Sequence, residues 1–143
     1  MDYGIQLGRR FRALKLWFII NYFGVDGIKN RIREHFRLAE IFKSLIDNNP
    51  IFERLAPVPV TTICFRALLP NTTETQALNK FNLKLLDEVN NTGEIFISHT
   101  MLNNNITIRV VISGLRVEER HVINCYNILV NKYNQLLLLN VTK

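Results

Sequence analysis

Apolar residues recur along this chain with two different periods, and the switches between them mark out its elements. Over 8–23 the positions are apolar nearly all round after a basic opening turn. That predicts a helix buried on several sides and ended by Gly24. Ile28, Ile32, Phe36, Ala39, Phe42 and Ile46 then return every three to four residues. They predict a second helix that starts at an Asp26 cap and is stopped by Asn48-Asn49-Pro50.

A period of two follows. Segments 52–55 and 60–68 predict strands separated by Pro57 and Pro59. Pro70-Asn71-Thr72-Thr73 reads as a turn, with a Thr capping a helix that runs to Asn90 and turns Leu78, Phe81, Leu85 and Val89 inward. After Asn91-Thr92-Gly93, segment 94–98 predicts a third strand, and Asn103-Asn104-Asn105 a tight turn into a fourth at Ile106. A last helix is predicted over 117–138, with Val122, Tyr126, Leu129, Val130, Tyr133 and Leu137 inward. The order α-α-β-β-α-β-β-α, without internal repeats, predicts an α+β layer. It is a four-stranded antiparallel sheet with helices on one face, preceded by a linking helix.

One charge stands alone in the fourth strand. Alternation puts Ile106, Ile108, Val110 and Ile112 on one face and Thr107, Arg109, Val111 and Ser113 on the other. Arg109 then has two readings: a planar fork that clamps a carboxylate, or a solvated residue on the outer face of a half-buried sheet.

Composition narrows the class. With 143 residues, 48% hydrophobic and 21% charged, the chain suits one globular domain and not a disordered segment. The net charge of +6 gathers early, at Arg9, Arg10, Arg12, Lys15, Lys29, Arg31, Arg33 and Arg37. Cations in the first turn of a helix oppose its dipole, which points to specific carboxylates or carbonyls that satisfy them. No aromatic platform or nucleic-acid motif accompanies the run, so nucleic acid is not an expected partner. The apolar run 14–23 is interrupted by Lys15 and Asn21 and is too short to span a bilayer. It is followed by no small-residue cleavage site. The expectation is a soluble, cytoplasmic protein without a membrane partner, its Cys64 and Cys125 reduced and serving as small apolar fillers.

Chemistry-bearing motifs are sparse. The chain has no nucleophile elbow, phosphate-cradling loop, dinucleotide fingerprint or zinc spacing, so neither a catalytic residue nor a metal ligand is assigned. His35 and His121 lie on predicted helices as solvated or packed side chains. His99, beside Ser98 and Thr100 near a possible sheet edge, keeps a binding role as an alternative. Trp17 reads as a core or interface anchor.

The segment Asp2-Tyr3-Gly4-Ile5-Gln6-Leu7-Gly8-Arg9-Arg10-Phe11-Arg12-Ala13-Leu14-Lys15-Leu16-Trp17-Phe18 closely resembles the lead into the C-terminal domain of group II pyridoxal-phosphate-dependent amino-acid decarboxylases. The likeness continues through Tyr22-Phe23-Gly24-Val25-Asp26-Gly27, Ile32-Arg33-Glu34-His35, Phe52-Glu53 and Ile63-Cys64-Phe65-Arg66. It also takes in 86–100 and Ile108-Arg109-Val110-Val111-Ile112, so that nearly the whole chain is covered. The resemblance implies a small C-terminal domain whose helices pack on the face away from a fold-type-I large domain, in a homodimer. It divides the chain into a linking segment and helix, 1–24, and the small domain, 25–143. It also implies a role for Arg109, because the matching Arg of glutamate-type members pairs with the substrate or product carboxylate.

The departures count as well. The family's cofactor lysine follows a His in a motif of the large domain, and none of Lys15, Lys29, Lys43, Lys80, Lys84, Lys132 and Lys143 does so here. There is no Gly/Ser-rich phosphate segment, and the family's Asn-X-Arg-Thr appears as Ser113-Gly114-Leu115-Arg116-Val117, which removes a Thr cap from the last helix. Without an imine-forming lysine there is no electron sink for decarboxylation. The chain is therefore expected to be part of a decarboxylase of aromatic or acidic amino acids. It would be inactive and free of pyridoxal phosphate when apart from its large domain. A free-standing α+β interaction or ligand-binding module is the alternative; an in-frame cofactor-lysine motif directly upstream in the DNA separates the two.

Overall fold

A central strand decides the layout. In a computed structural model that describes residues 11–141, β4 (Asn105–Val111) lies between β2 (Thr62–Ala67) and β3 (Ser98–Leu102). With β1 (Phe52–Arg54) these form a four-stranded sheet in the order β1-β2-β4-β3, every neighbouring pair antiparallel. Three helices accompany it: α1 (Arg12–Asp47), α2 (Thr75–Asn90) and α3 (Glu119–Val141). The opening motif 2–10, with Arg9 and Arg10, lies outside the described residues.

The chain divides into two units, Met1–Arg33 and Glu34–Lys143. In the first, Gly24 interrupts α1 with φ 65 and ψ 170, a left-handed conformation that glycine adopts without steric cost. The two helices expected to meet at Gly24 are thus present as one element with a break. Trp17 and Tyr22 are 56% and 83% exposed, and their rings stack edge-on against Phe18 and Phe23 at 5.1 and 4.7 Å. Ile32, expected on the inward stripe, is exposed.

The second unit holds the core. Ile63, Phe65, Ile108 and Val110 project from one sheet face onto Leu38, Phe42 and Ile46 of α1, Leu85 and Val89 of α2, and Leu129 and Tyr133 of α3. Phe65 gathers rings from two directions, Phe42 at 5.9 Å and Phe52 at 5.4 Å. Burial of each large side chain stabilises the fold by about 1.5–3 kcal/mol relative to exposure. Phe36, one turn before Ala39, stays exposed, so the inward stripe of α1 begins at Leu38.

Asparagines on α2 bind the sheet to it. Asn79 accepts the Ile106 N–H and donates to the Asn104 carbonyl; Asn90 does both for the Ile97 backbone. That explains why the third strand begins at Ser98 and not at 94: the backbone of Ile97 is paired with a side chain of α2 and not with a strand. At its tip, Asn103 and Asn104 have φ of 48 and 64, the backbone of a two-residue turn that matches the twist of a hairpin.

Two helix starts also differ from expectation. Glu74 is the N-cap of α2 and makes no side-chain capping bond; the Thr72 hydroxyl accepts the Glu74 N–H at 3.1 Å instead. The last helix begins at Glu119, because the Val117 N–H is spent in a turn on Gly114 O and the Glu118 N–H goes to Nδ1 of His121.

Candidate functional site

The sheet face opposite the core is polar. Register pairs Arg109 with Cys64 on β2 and with Ser98 on β3, so the three side chains share that face. Arg109 is exposed while its neighbours Ile108 and Val110 are buried, as strand alternation requires. Its Nε donates to Ser98 Oγ at 3.1 Å. Cys64 and Ser98 are half-buried.

Carboxylates set Arg109 apart from the other arginines of the sheet. Arg54 Nε pairs with Asp47 at 2.8 Å, and Arg66 Nε pairs with Glu53 at 2.7 Å while its Nη1 reaches Asn105 at 2.8 Å. Among the described residues no carboxylate pairs with Arg109; its partner is a neutral hydroxyl. Thr107, two residues along the same face, is fully buried and donates its hydroxyl to Asn105 O. The face is therefore not uniformly solvated: Thr107 is covered and Arg109 is exposed.

The histidines are not brought to this face. His99 pairs in register with Ile108 and so shares the core side of the sheet, exposed on the edge strand. Nε2 of His35 hydrogen-bonds Gly114 O at 3.1 Å, and His121 helps to start α3. Arg37 joins Glu34 to Glu119, both at 2.8 Å, and the hydrogen bond to Glu34, followed by that to Glu119, raises its pKa further. Burial pushes the Cys125 thiol from 9.0 up to about 12 and raises the Tyr133 hydroxyl, which donates to Leu68 O at 2.8 Å.

Sequence reasoning found Arg109 and missed Ser98 and Cys64 as its neighbours. The signal was present in principle, since three strands each carry one polar or thiol residue at matching parity, but only the register aligns them.

A concavity of about 230 Å3 is lined by Phe42, Phe96, Val110, Val117, His121 and Cys125 among others, and an open one of about 560 Å3 lies along α1 between Arg37, Glu40, Ile41, Ser44, Leu45 and Asn48. Pyridoxal phosphate needs a lysine in a concave wall and donors for its phosphate. None of the described concavities has a lysine in its wall, and Lys43 is paired with Glu40. These concavities do not fit that cofactor. Nor, among the described residues, do three of His, Cys, Asp or Glu gather as a metal site would require, and no helix is long and apolar enough to cross a membrane.

An α+β domain with helices on one sheet face and an Arg-bearing polar face on the other is therefore the class that fold and site define. Residues 1–68 match the family described as the pyridoxal-dependent decarboxylase conserved domain. The chain is 40% identical over 136 residues to phenylacetaldehyde synthase of Arabidopsis thaliana, covering 95% of this chain and 28% of that protein. It is 38% identical to tryptophan decarboxylase 2 of Oryza sativa subsp. japonica, covering 95% and 27%. The crystal structure of Oryza sativa TDC with PLP and tryptamine superposes with a TM-score of 0.85 at 25% identity, over 92% of this chain and 28% of that one. The chain is thus similar to pyridoxal-phosphate-dependent decarboxylases, and its fold is that of the C-terminal domain of such chains. It spans just over a quarter of the length of these relatives.

Proposed function

We propose that this chain is the C-terminal part of an enzyme that removes the α-carboxylate of an aromatic L-amino acid, giving an amine and carbon dioxide. The observation that carries the reading is Arg109, exposed on the polar sheet face with no carboxylate partner among the described residues. An aromatic amino acid has one carboxylate, and an arginine fork binds such a group through two parallel N–H···O bonds. The names of the relatives, among them tryptophan and tyrosine decarboxylases, support the aromatic class.

In this reading 1–24 is the link to a large catalytic domain and 25–143 the small domain, with Arg109 turned toward the large one. Pyridoxal phosphate would supply the electron sink, on lysine and phosphate-binding groups of the large domain. This chain alone would neither bind it nor catalyse. The assembled enzyme would be a cytoplasmic homodimer, joined in part by the exposed apolar residues around Trp17.

The test has two arms. DNA directly upstream should encode, in frame, a His-Lys cofactor motif, and the full-length protein should release carbon dioxide from L-tryptophan or L-tyrosine. The isolated chain with pyridoxal phosphate should give no turnover and no borohydride-reducible adduct at one defined lysine. An unrelated upstream frame sinks the enzyme reading; turnover by the isolated chain sinks its dependence on the large domain.

A further inference from the structure

Ser98 and Arg109 face one another across the β3–β4 ladder, and the bond between them uses one particular edge of the guanidinium. A carboxylate can engage arginine side-on, through Nε and one terminal nitrogen, or end-on, through both terminal nitrogens. Arg54 and Arg66 each give Nε to a carboxylate of this chain, Asp47 and Glu53. In Arg109 the Nε–H is given to a neutral hydroxyl, which directs the fork without cancelling its charge.

We propose that Ser98 is a positioning residue: by accepting the Nε–H of Arg109 it closes the side-on edge and presents the terminal nitrogens for end-on binding of the substrate carboxylate. The proposal rests on the carboxylate-binding reading of Arg109 given above. An unrestrained arginine on an open face samples many rotamers and surrenders that freedom when a ligand binds. Ser98 stands on a strand, fixed by the ladder that fixes Arg109, so the restraint is in place before the ligand arrives. Cys64, the register partner on the other side, flanks Arg109 with a thiol, which leaves Ser98 as the neighbour that orients it.

The experiment uses the full-length holoenzyme with L-tryptophan or L-tyrosine. Ser98→Ala should raise KM roughly three- to twentyfold, the size expected for losing a hydrogen bond to a charged group on an open surface, with kcat within about twofold. Ser98→Thr keeps the hydroxyl and should restore KM to within about twofold of wild type. Added to Arg109→Gln, Ser98→Ala should cost almost nothing more, because the residue acts through Arg109. Independently of turnover, an arginine-labelled sample should show a slowly exchanging Nε–H resonance that disappears in Arg109→Lys and is lost to fast exchange in Ser98→Ala.

The outcomes separate the two claims. If Arg109→Gln leaves kcat/KM unchanged, the carboxylate reading falls and the role of Ser98 falls with it. If Arg109→Gln is damaging while Ser98→Ala keeps both the wild-type KM and the protected resonance, Ser98 has no positioning role and the Arg109 reading stands. A loss in Ser98→Ala that Ser98→Thr does not repair also overturns the proposal.

Discussion

The side-chain amide of Asn82 on α2 closes on the backbone of Ala67 in β2: Oδ1 accepts the Ala67 N–H at 2.7 Å and Nδ2 donates to the Ala67 carbonyl at 2.9 Å. A further bond from Nδ2 to Leu78 O, at 2.8 Å, completes the buried amide. Asn82→Leu would leave both Ala67 groups without these partners inside the core. It should destabilise the chain by about 2–4 kcal/mol, more than an exposed control such as Lys84→Ala. Denaturant unfolding with an unchanged slope checks it.

The hairpin tip offers a gain. Asn104 has φ of 64, and glycine at the second position of such a turn avoids the side-chain cost. Asn104→Gly should hold or raise stability by up to about 0.5 kcal/mol, and Asn104→Val should lower it by about 1–2 kcal/mol. The Asn79 bond to the Asn104 carbonyl uses backbone only and survives both changes. Thermal midpoints of the two variants should move in opposite directions, or the first not at all.

Cys125 predicts a pH dependence. Burial raises its thiol from 9.0 to about 12, so the folded chain keeps a proton that the unfolded chain has released. Stability from this group is whole below pH 9 and declines as the pH climbs toward 12. The fall in thermal midpoint between pH 8 and pH 10.5 should be smaller in Cys125→Ala than in wild type. With a thiol reagent at neutral pH, half-buried Cys64 should react before Cys125.

If Arg109 binds the substrate carboxylate as proposed, Arg109→Gln in the full-length protein should lower kcat/KM by about 2–4 kcal/mol while the fold is kept, because a charge-assisted contact would be removed. A solvated arginine would change stability by less than about 0.5 kcal/mol and leave activity alone. Kinetics beside a melting curve decide between them.

Leu16, Trp17, Phe18 and Tyr22 are exposed together on one helix, and apolar patches of several hundred Å2 are uncommon on monomers. The isolated chain should self-associate through them. Light scattering should show a mass above one chain that falls toward the monomer in Trp17→Glu/Phe18→Glu.

Periodicity by itself determined the element order, the antiparallel α+β layer and the face on which Arg109 stands, because side-chain direction in strands and helices is a local property of the backbone. The opening motif and the strand around Arg109 carried the resemblance to the decarboxylases. What tertiary structure alone decided was pairing. The late start of β3, the buried amide of Asn82 and the partnership of Ser98 with Arg109 each depend on residues 7 to 15 positions apart meeting across space. No local pattern distinguishes an asparagine that clamps a strand from one that faces water, since both satisfy the same helical backbone. Nor does any local pattern tell which strand residue lies opposite Arg109, because alternation fixes a side of the sheet and leaves the register to the packing of the core.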